Sequence, residues 1–178
     1  IKKYVSMFGQ GFSVTPIQSA MMYQAIANNG VRLEPRLVEG CDDGKGNFVA
    51  TPKQAGVQVV SASTARTTLD MLEKVVEEGG IGRHAGVPGY RVAGKTGTAQ
   101  ITDPATGRYG YLHAISFIGM APADNPQYVV AVTAFKSRTV SNSMGATPIF
   151  KAIMQQVLRT YRVPPSTTKS ANIATEWK

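Results

Sequence analysis

Apolar and polar positions alternate between two periods along this chain, and the changes of period mark its elements. Thr15-Pro16-Ile17-Gln18 supplies a capping threonine, a proline suited to the first helical turn and a glutamine at the capping-box position, so a helix is predicted from there to about Ala27. Asn28-Asn29-Gly30 tolerates a left-handed stop. From Val31 to Val60 the run is broken by Pro35, Gly40, Asp42-Asp43-Gly44 and Pro52, which predicts short extended pieces and no long helix. A second helix is predicted from Ser61–Ser63, because Ala65, Leu69, Leu72 and Val76 fall at helical spacing and Gly79-Gly80 closes the pattern.

Three strands are predicted next, over Tyr90–Thr102, His113–Ala121 and Gln127–Phe135. The connections between them are short, which favours antiparallel neighbours. Thr147-Pro148 repeats the cap-then-proline signal, and Ile149/Phe150, Ile153/Met154 and Val157/Leu158 recur along a final helix that Pro164-Pro165 ends. The expected fold class is α+β: an antiparallel sheet of about three strands packed with helices. Residues 1–163 form the body, and residues 164–178 are expected to be a loose polar tail whose only large apolar groups are Ile173 and Trp177.

Composition narrows the chemistry by exclusion. The chain has 178 residues, enough for one core, and carries 19 basic against 11 acidic residues for a formal charge of +8. The basic residues are dispersed, with no run longer than Lys2-Lys3 and no interleaved aromatics, so no nucleic-acid partner is expected. Cys41 is the single cysteine, and no histidine or cysteine cluster has ligand spacing, so neither a metal site nor a cofactor is expected. No stretch is long and apolar enough for a membrane span, and Ile1-Lys2-Lys3-Tyr4 does not open a signal peptide. An export or anchoring signal is expected upstream.

Gly89-Tyr90-Arg91-Val92-Ala93-Gly94-Lys95-Thr96 satisfies the phosphate-binding P-loop pattern, which would make a nucleotide hydrolase. A phosphate cradle needs a buried strand before the glycines and a helix starting at the lysine. Here residues 82–88 read as a loop, and those after Lys95 alternate as a strand. The competing reading places Lys95-Thr96-Gly97-Thr98 within a strand, with Thr96 and Thr98 on one face and Lys95 and Gly97 on the other. Two hydroxyls could then meet a ligand carboxylate together, and Gly97 would leave room where a side chain would obstruct.

That Lys-Thr-Gly sequence is one of three signatures of penicillin-binding proteins and serine β-lactamases, and its flanks extend the likeness. Phe8-Gly9-Gln10-Gly11-Phe12-Ser13-Val14-Thr15-Pro16-Ile17-Gln18, closed by Ala27-Asn28-Asn29-Gly30, resembles the segment between the second and third motifs of class B penicillin-binding proteins. Ser116-Phe117-Ile118-Gly119-Met120-Ala121-Pro122 and Gly145-Ala146-Thr147-Pro148-Ile149-Phe150 resemble the strand after the third motif and the entry to the last helix. The chain thus resembles the C-terminal part of a class B transpeptidase domain, division type preferred, and the fold implied is a partial penicillin-binding-protein or serine β-lactamase-like transpeptidase fold.

The resemblance implies peptidoglycan D,D-transpeptidation by serine acyl transfer, with the D-alanyl-D-alanine end of a stem peptide as substrate and β-lactam antibiotics as mimics. It implies that Lys95 supplies positive charge beside the nucleophile and assists proton movement. Thr96 and Thr98 would bind the substrate carboxylate, Gly97 would leave the substrate room, and the Thr98 N–H would form half of an oxyanion hole. It places the parent polypeptide at the extracytoplasmic face of the bacterial membrane, anchored upstream. Gly9, Gln10 and Gly11 are read as turn-shaping, and His84 and His113 as surface or packing residues.

One departure matters. Ser-x-x-Lys and Ser-x-Asn motifs should precede Lys-Thr-Gly, whereas Ser166-Thr167-Thr168-Lys169 and Ser170-Ala171-Asn172 follow it and nearly adjoin. They are read as a decoy, and the nucleophilic serine is expected in an upstream part of the same polypeptide, leaving this chain inactive alone. Missing partner strands predict an open sheet edge and association with a second copy. The alternatives are a serine β-lactamase, a noncatalytic penicillin-sensing module and, more remotely, the P-loop hydrolase.

Overall fold

The computed structural model describes residues 2–7, 9, 11–136 and 142–175. Phe8, Gln10 and Trp177, singled out above, lie outside the described residues. A short helix α1 (Lys2–Met7) precedes α2 (Pro16–Ala27). The predicted capping box opens α2: Thr15 Oγ1 accepts from the Gln18 N–H at 3.3 Å, and Gln18 Oε1 accepts from the Thr15 N–H at 2.8 Å. The stop is equally local, with Asn29 at φ 53° and Gly30 at φ 84°. A Cβ on Gly30 would also overlap the Val60 carbonyl, so glycine is required there for conformation and space together.

As the broken pattern predicts, residues 31–60 form only short strands. β1 (Val31–Arg32) pairs antiparallel with β4 (Val57–Gln58), and β2 (Gly40–Asp42) with β3 (Phe48–Ala50). Helix α3 (Ala62–Lys74) starts where the serine cluster predicts, with the Thr64 N–H donating to Ser61 Oγ at 3.1 Å. The main sheet has the order β5-β6-β7, all antiparallel, from β5 (Ala93–Thr102), β6 (Tyr109–Ala121) and β7 (Tyr128–Phe135). β6 begins four residues before the predicted start, because the Asp103 N–H reaches the Arg108 carbonyl at 2.8 Å and Thr102 pairs with Tyr109 across a register irregularity.

Helix α4 (Ala146–Thr160) corrects one local expectation. Thr147 does not cap it: the residue is fully buried inside the first turn, where its hydroxyl donates to the Met144 carbonyl at 2.7 Å. Gly145 occupies the cap position instead, without a side-chain bond. The chain leaves α4 after Thr160, before the prolines, through Arg162 at φ 52°.

The sheet is sandwiched between helices. On one face Phe117, Ala121 and Val132 pack under Phe150, Met154 and Leu158 of α4, with the Phe117 and Phe150 rings edge-to-face at 4.7 Å. On the other, Ala93 and Met120 meet Leu69 of α3 together with Tyr23 and Ile26 of α2. Burial there pushes the Tyr23 hydroxyl up to about 12. Gly94 and Gly119 lie directly against the Phe117 ring, so neither has room for a side chain.

Hydrogen bonds hold the head of the polar C-terminal segment. Ser166 N–H donates to the Gly89 carbonyl at 3.0 Å, and the Tyr90 hydroxyl donates to the Val163 carbonyl at 2.6 Å. Hydroxyl-rich sequence is tied down here by hydrogen bonds rather than by an apolar stripe.

Candidate active site

Lys95, Thr96, Gly97 and Thr98 lie near the start of β5, opposite Ile118, Phe117, Ser116 and Ile115 of β6. β5 is an outer strand of the three-stranded sheet, so its second edge is unpaired among the described residues. Alternation from Ala93 puts Lys95 and Gly97 on the side covered by α3, and alternation from Gly94 puts Thr96 and Thr98 on the side of Phe117. The Lys95 ammonium nevertheless curls back to its neighbour, donating to the Thr96 carbonyl at 3.1 Å and to Thr96 Oγ1 at 3.2 Å. Lys95 is exposed and, among the described residues, has no carboxylate within ion-pair distance. A Cβ on Gly97 would meet Ser116 Oγ, so a side chain there would require that hydroxyl to turn away.

The P-loop geometry is not formed. Lys95 sits inside a strand that continues to Thr102, and Gly94 is buried against Phe117 rather than wrapped around open space. His84 is exposed, and His113 is a half-buried strand residue opposite Gln100.

The residues that hold this strand escaped the pattern-based reading. Arg91, just before β5, makes a bidentate pair with Glu73 of α3, its Nε and Nη2 donating at 2.7 and 2.6 Å. Both side chains are largely buried, at 11% and 4% exposure. A fork-to-fork carboxylate pair of this kind is strong and directional. Hydrogen bonding to Glu73 raises the Arg91 guanidinium further, against the opposing effect of burial. A signal was present: Glu73 occupies the inward stripe that Ala65, Leu69 and Val76 define, and a carboxylate placed there demands a cationic partner.

Ser166 belongs to the same network. Its hydroxyl donates to Asp124 Oδ1 at 2.8 Å and accepts the Arg91 N–H at 3.0 Å. Thr168 Oγ1 accepts from Arg91 Nη1 at 2.7 Å and lies 3.3 Å from Asp124 Oδ2, which also receives the Thr167 N–H at 3.3 Å. Burial pushes the Asp124 carboxyl up, but the hydrogen bonds from Ser166, the backbone and Thr168 outweigh it and hold the group below the usual aspartate range. The Ser166-x-x-Lys169 match lies in a segment without helix, and its hydroxyl is committed to a carboxylate and a backbone N–H.

Comparison with known proteins bears on the family and the fold. The family model described as "Penicillin binding protein transpeptidase domain" matches residues 1–155. Penicillin-binding protein PbpB of Mycolicibacterium smegmatis is 40% identical over 168 residues, covering 89% of this chain and 26% of that protein. Peptidoglycan D,D-transpeptidase FtsI of Escherichia coli is 35% identical over 167 residues, covering 93% and 26%. Among solved structures, penicillin-binding protein 3 of Mycobacterium tuberculosis in complex with ampicillin superimposes with a TM-score of 0.83 at 38% identity, covering 96% of this chain and 40% of that one. The chain therefore spans about a quarter of the length of the curated relatives it matches. With the α+β sandwich, the order of its motifs and the family match all in agreement, this chain belongs to the penicillin-binding protein transpeptidase domain family.

Proposed function

We propose that the polypeptide containing this chain is a peptidoglycan D,D-transpeptidase of the class B, division type. It attaches a stem peptide to a serine with loss of the terminal D-alanine, then passes the acyl group to an amine of a neighbouring strand. Lys95-Thr96-Gly97-Thr98 forms one wall of its cleft. The observation that carries this reading is the Lys95 ammonium resting on the open edge of β5 against the Thr96 carbonyl and hydroxyl. A carbonyl that accepts from a side chain at that edge is turned away from β6, and the two-residue alternation turns the Thr98 N–H out the same way. An outward N–H beside an ammonium and two threonine hydroxyls suits an oxyanion and a carboxylate at close range.

In this reading Lys95 and Thr98 act on the reacting centre, while Thr96, Gly97 and Thr98 bind the D-alanyl-D-alanine end. β-Lactams occupy the same wall, in keeping with the ampicillin complex of the similar M. tuberculosis protein. No metal or cofactor enters the acyl transfer. The nucleophilic serine comes from another part of the polypeptide, and the committed hydroxyl of Ser166 supports that choice. The working location is the extracytoplasmic face of the bacterial membrane. None of the helices among the described residues is long and apolar enough to cross a membrane, which fits an anchor elsewhere in the polypeptide.

The test exposes the parent polypeptide and this chain separately to a labelled penicillin, with the adduct mapped by mass spectrometry. A long-lived adduct on the serine of a Ser-x-x-Lys outside these residues, and none on the isolated chain, is expected. An adduct on Ser166, or rapid release of hydrolysed penicillin, would overturn the proposal, the second outcome in favour of a β-lactamase.

A further inference from the structure

Arg91 is where three separate parts of the fold meet, four residues before Lys95. Helix α3 reaches it through Glu73, the β6–β7 turn through the Ala123 N–H, and the C-terminal segment through Ser166 and Thr168. Among the described residues, the hydrogen bonds linking Arg91 to Asp124 pass through the tail's two hydroxyls: Ser166 accepts from the Arg91 N–H and donates to Asp124, and Thr168 accepts from the guanidinium and lies against the same carboxylate. The neighbouring backbone is held as well, since the Ala123 N–H donates to the Arg91 carbonyl at 2.8 Å and the Ser166 N–H to the Gly89 carbonyl at 3.0 Å.

This concentration of ties has a mechanical reason. Among the described residues β5 has one lateral neighbour, β6, so the pose of its outer edge depends on how firmly its entry is held. Arg91 lies two residues before Ala93, where β5 starts, and the four steps from Arg91 to Lys95 span at most about 13 Å, so a displacement at Arg91 is passed on to Lys95. We propose that residues 166–168 form a positioning clasp that sets the pose of the strand carrying Lys95 and so the rate of acyl transfer. This rests on the reading of Lys95–Thr98 as the wall of the acyl-transfer site. Ser166 and Thr168 touch no substrate; they act through Arg91.

The experiment uses the full parent polypeptide and single-turnover acylation by a labelled penicillin over a range of concentrations. That design separates the half-saturating concentration from the limiting rate. In the double variant Ser166→Ala with Thr168→Val, the limiting rate is expected to fall about tenfold while half-saturation moves by less than about twofold, the signature of a misplaced group rather than lost binding. Ser166→Thr, which returns a hydroxyl to the bridge, is expected to recover most of the rate. If the double variant does not fold, Ser166→Ala alone decides, because Thr168 still links Arg91 to Asp124 and an intermediate loss is expected.

A lowered melting temperature with an unchanged limiting rate overturns the clasp and leaves the segment a purely structural tie. Lys95→Ala is the control for the underlying reading. If it acylates as fast as the parent, the assignment of the site fails whatever the tail does; if it is inactive while the tail variants run at the parental rate, only the clasp fails.

Discussion

Thr96 and Thr98 present their hydroxyls from one side of a strand whose intervening residue, Gly97, has no side chain, while the Lys95 ammonium reaches round to the Thr96 oxygens. If the two hydroxyls hold a carboxylate, losing one removes a charge-assisted hydrogen bond worth about 1.5 kcal/mol or more, roughly tenfold in rate. Thr98→Val in the parent polypeptide is therefore expected to slow acylation by a free-acid penicillin about tenfold and acylation by the corresponding methyl ester far less. Rate constants for both compounds check this, and equal losses would remove the carboxylate role. These residues were legible in sequence because the period of a strand assigns faces without knowledge of the fold. Arg91 and Glu73 were not, since their pairing spans the loop between α3 and β5 and no local period encodes it. Only the misplaced charge on an apolar stripe hinted at it.

At the scale of elements, the Arg91–Glu73 pair joins α3 to the entry of β5. Removing one member strands a buried charge, so Glu73→Ala should cost about 3 kcal/mol, read as a lower midpoint in urea denaturation. The Asp124 contacts add a dependence on pH. Its carboxyl is held below the ordinary value of roughly 3.9, so the stability it contributes is fully present above that value and is lost as pH falls through the lower folded value. The melting-temperature gap between the parent chain and Asp124→Asn should accordingly be widest near neutrality and close in strong acid. A constant gap would assign the effect to packing. Helix ends show where local reading succeeds: Thr15 caps α2 through neighbours three residues away, whereas the same signal at Thr147 was overridden when tertiary packing drew that side chain under the sheet.

For the whole molecule, the three strands leave β5 and β7 each with an unpaired edge among the described residues, and Phe135 at the end of β7 is 64% exposed. Such edges invite strand addition. The isolated chain is expected to self-associate as its concentration rises, with sedimentation velocity as the measure, and Phe135→Lys should suppress the effect. A monomer across the whole range would refute association through this edge. The layered architecture was legible from the order and spacing of the elements. The docking of the C-terminal segment was not, because its hydroxyls carry no periodic signature and their partners lie more than forty residues away.

The Arg91–Glu73 pair also bears on how members of this family can diverge. By joining two residues 18 positions apart, it closes the connection between α3 and β5 into a ring whose ends stay fixed. Within that ring Val76, Ala85 and Val87 are buried, whereas Glu78 and Gly79 are exposed. Length can therefore change at Glu78–Gly79 with little effect on the strand beyond, since doubling a flexible loop costs only about 0.6 kcal/mol. Insertions and deletions among relatives should gather at that point, while the spacing from Arg91 to Lys95 stays constant.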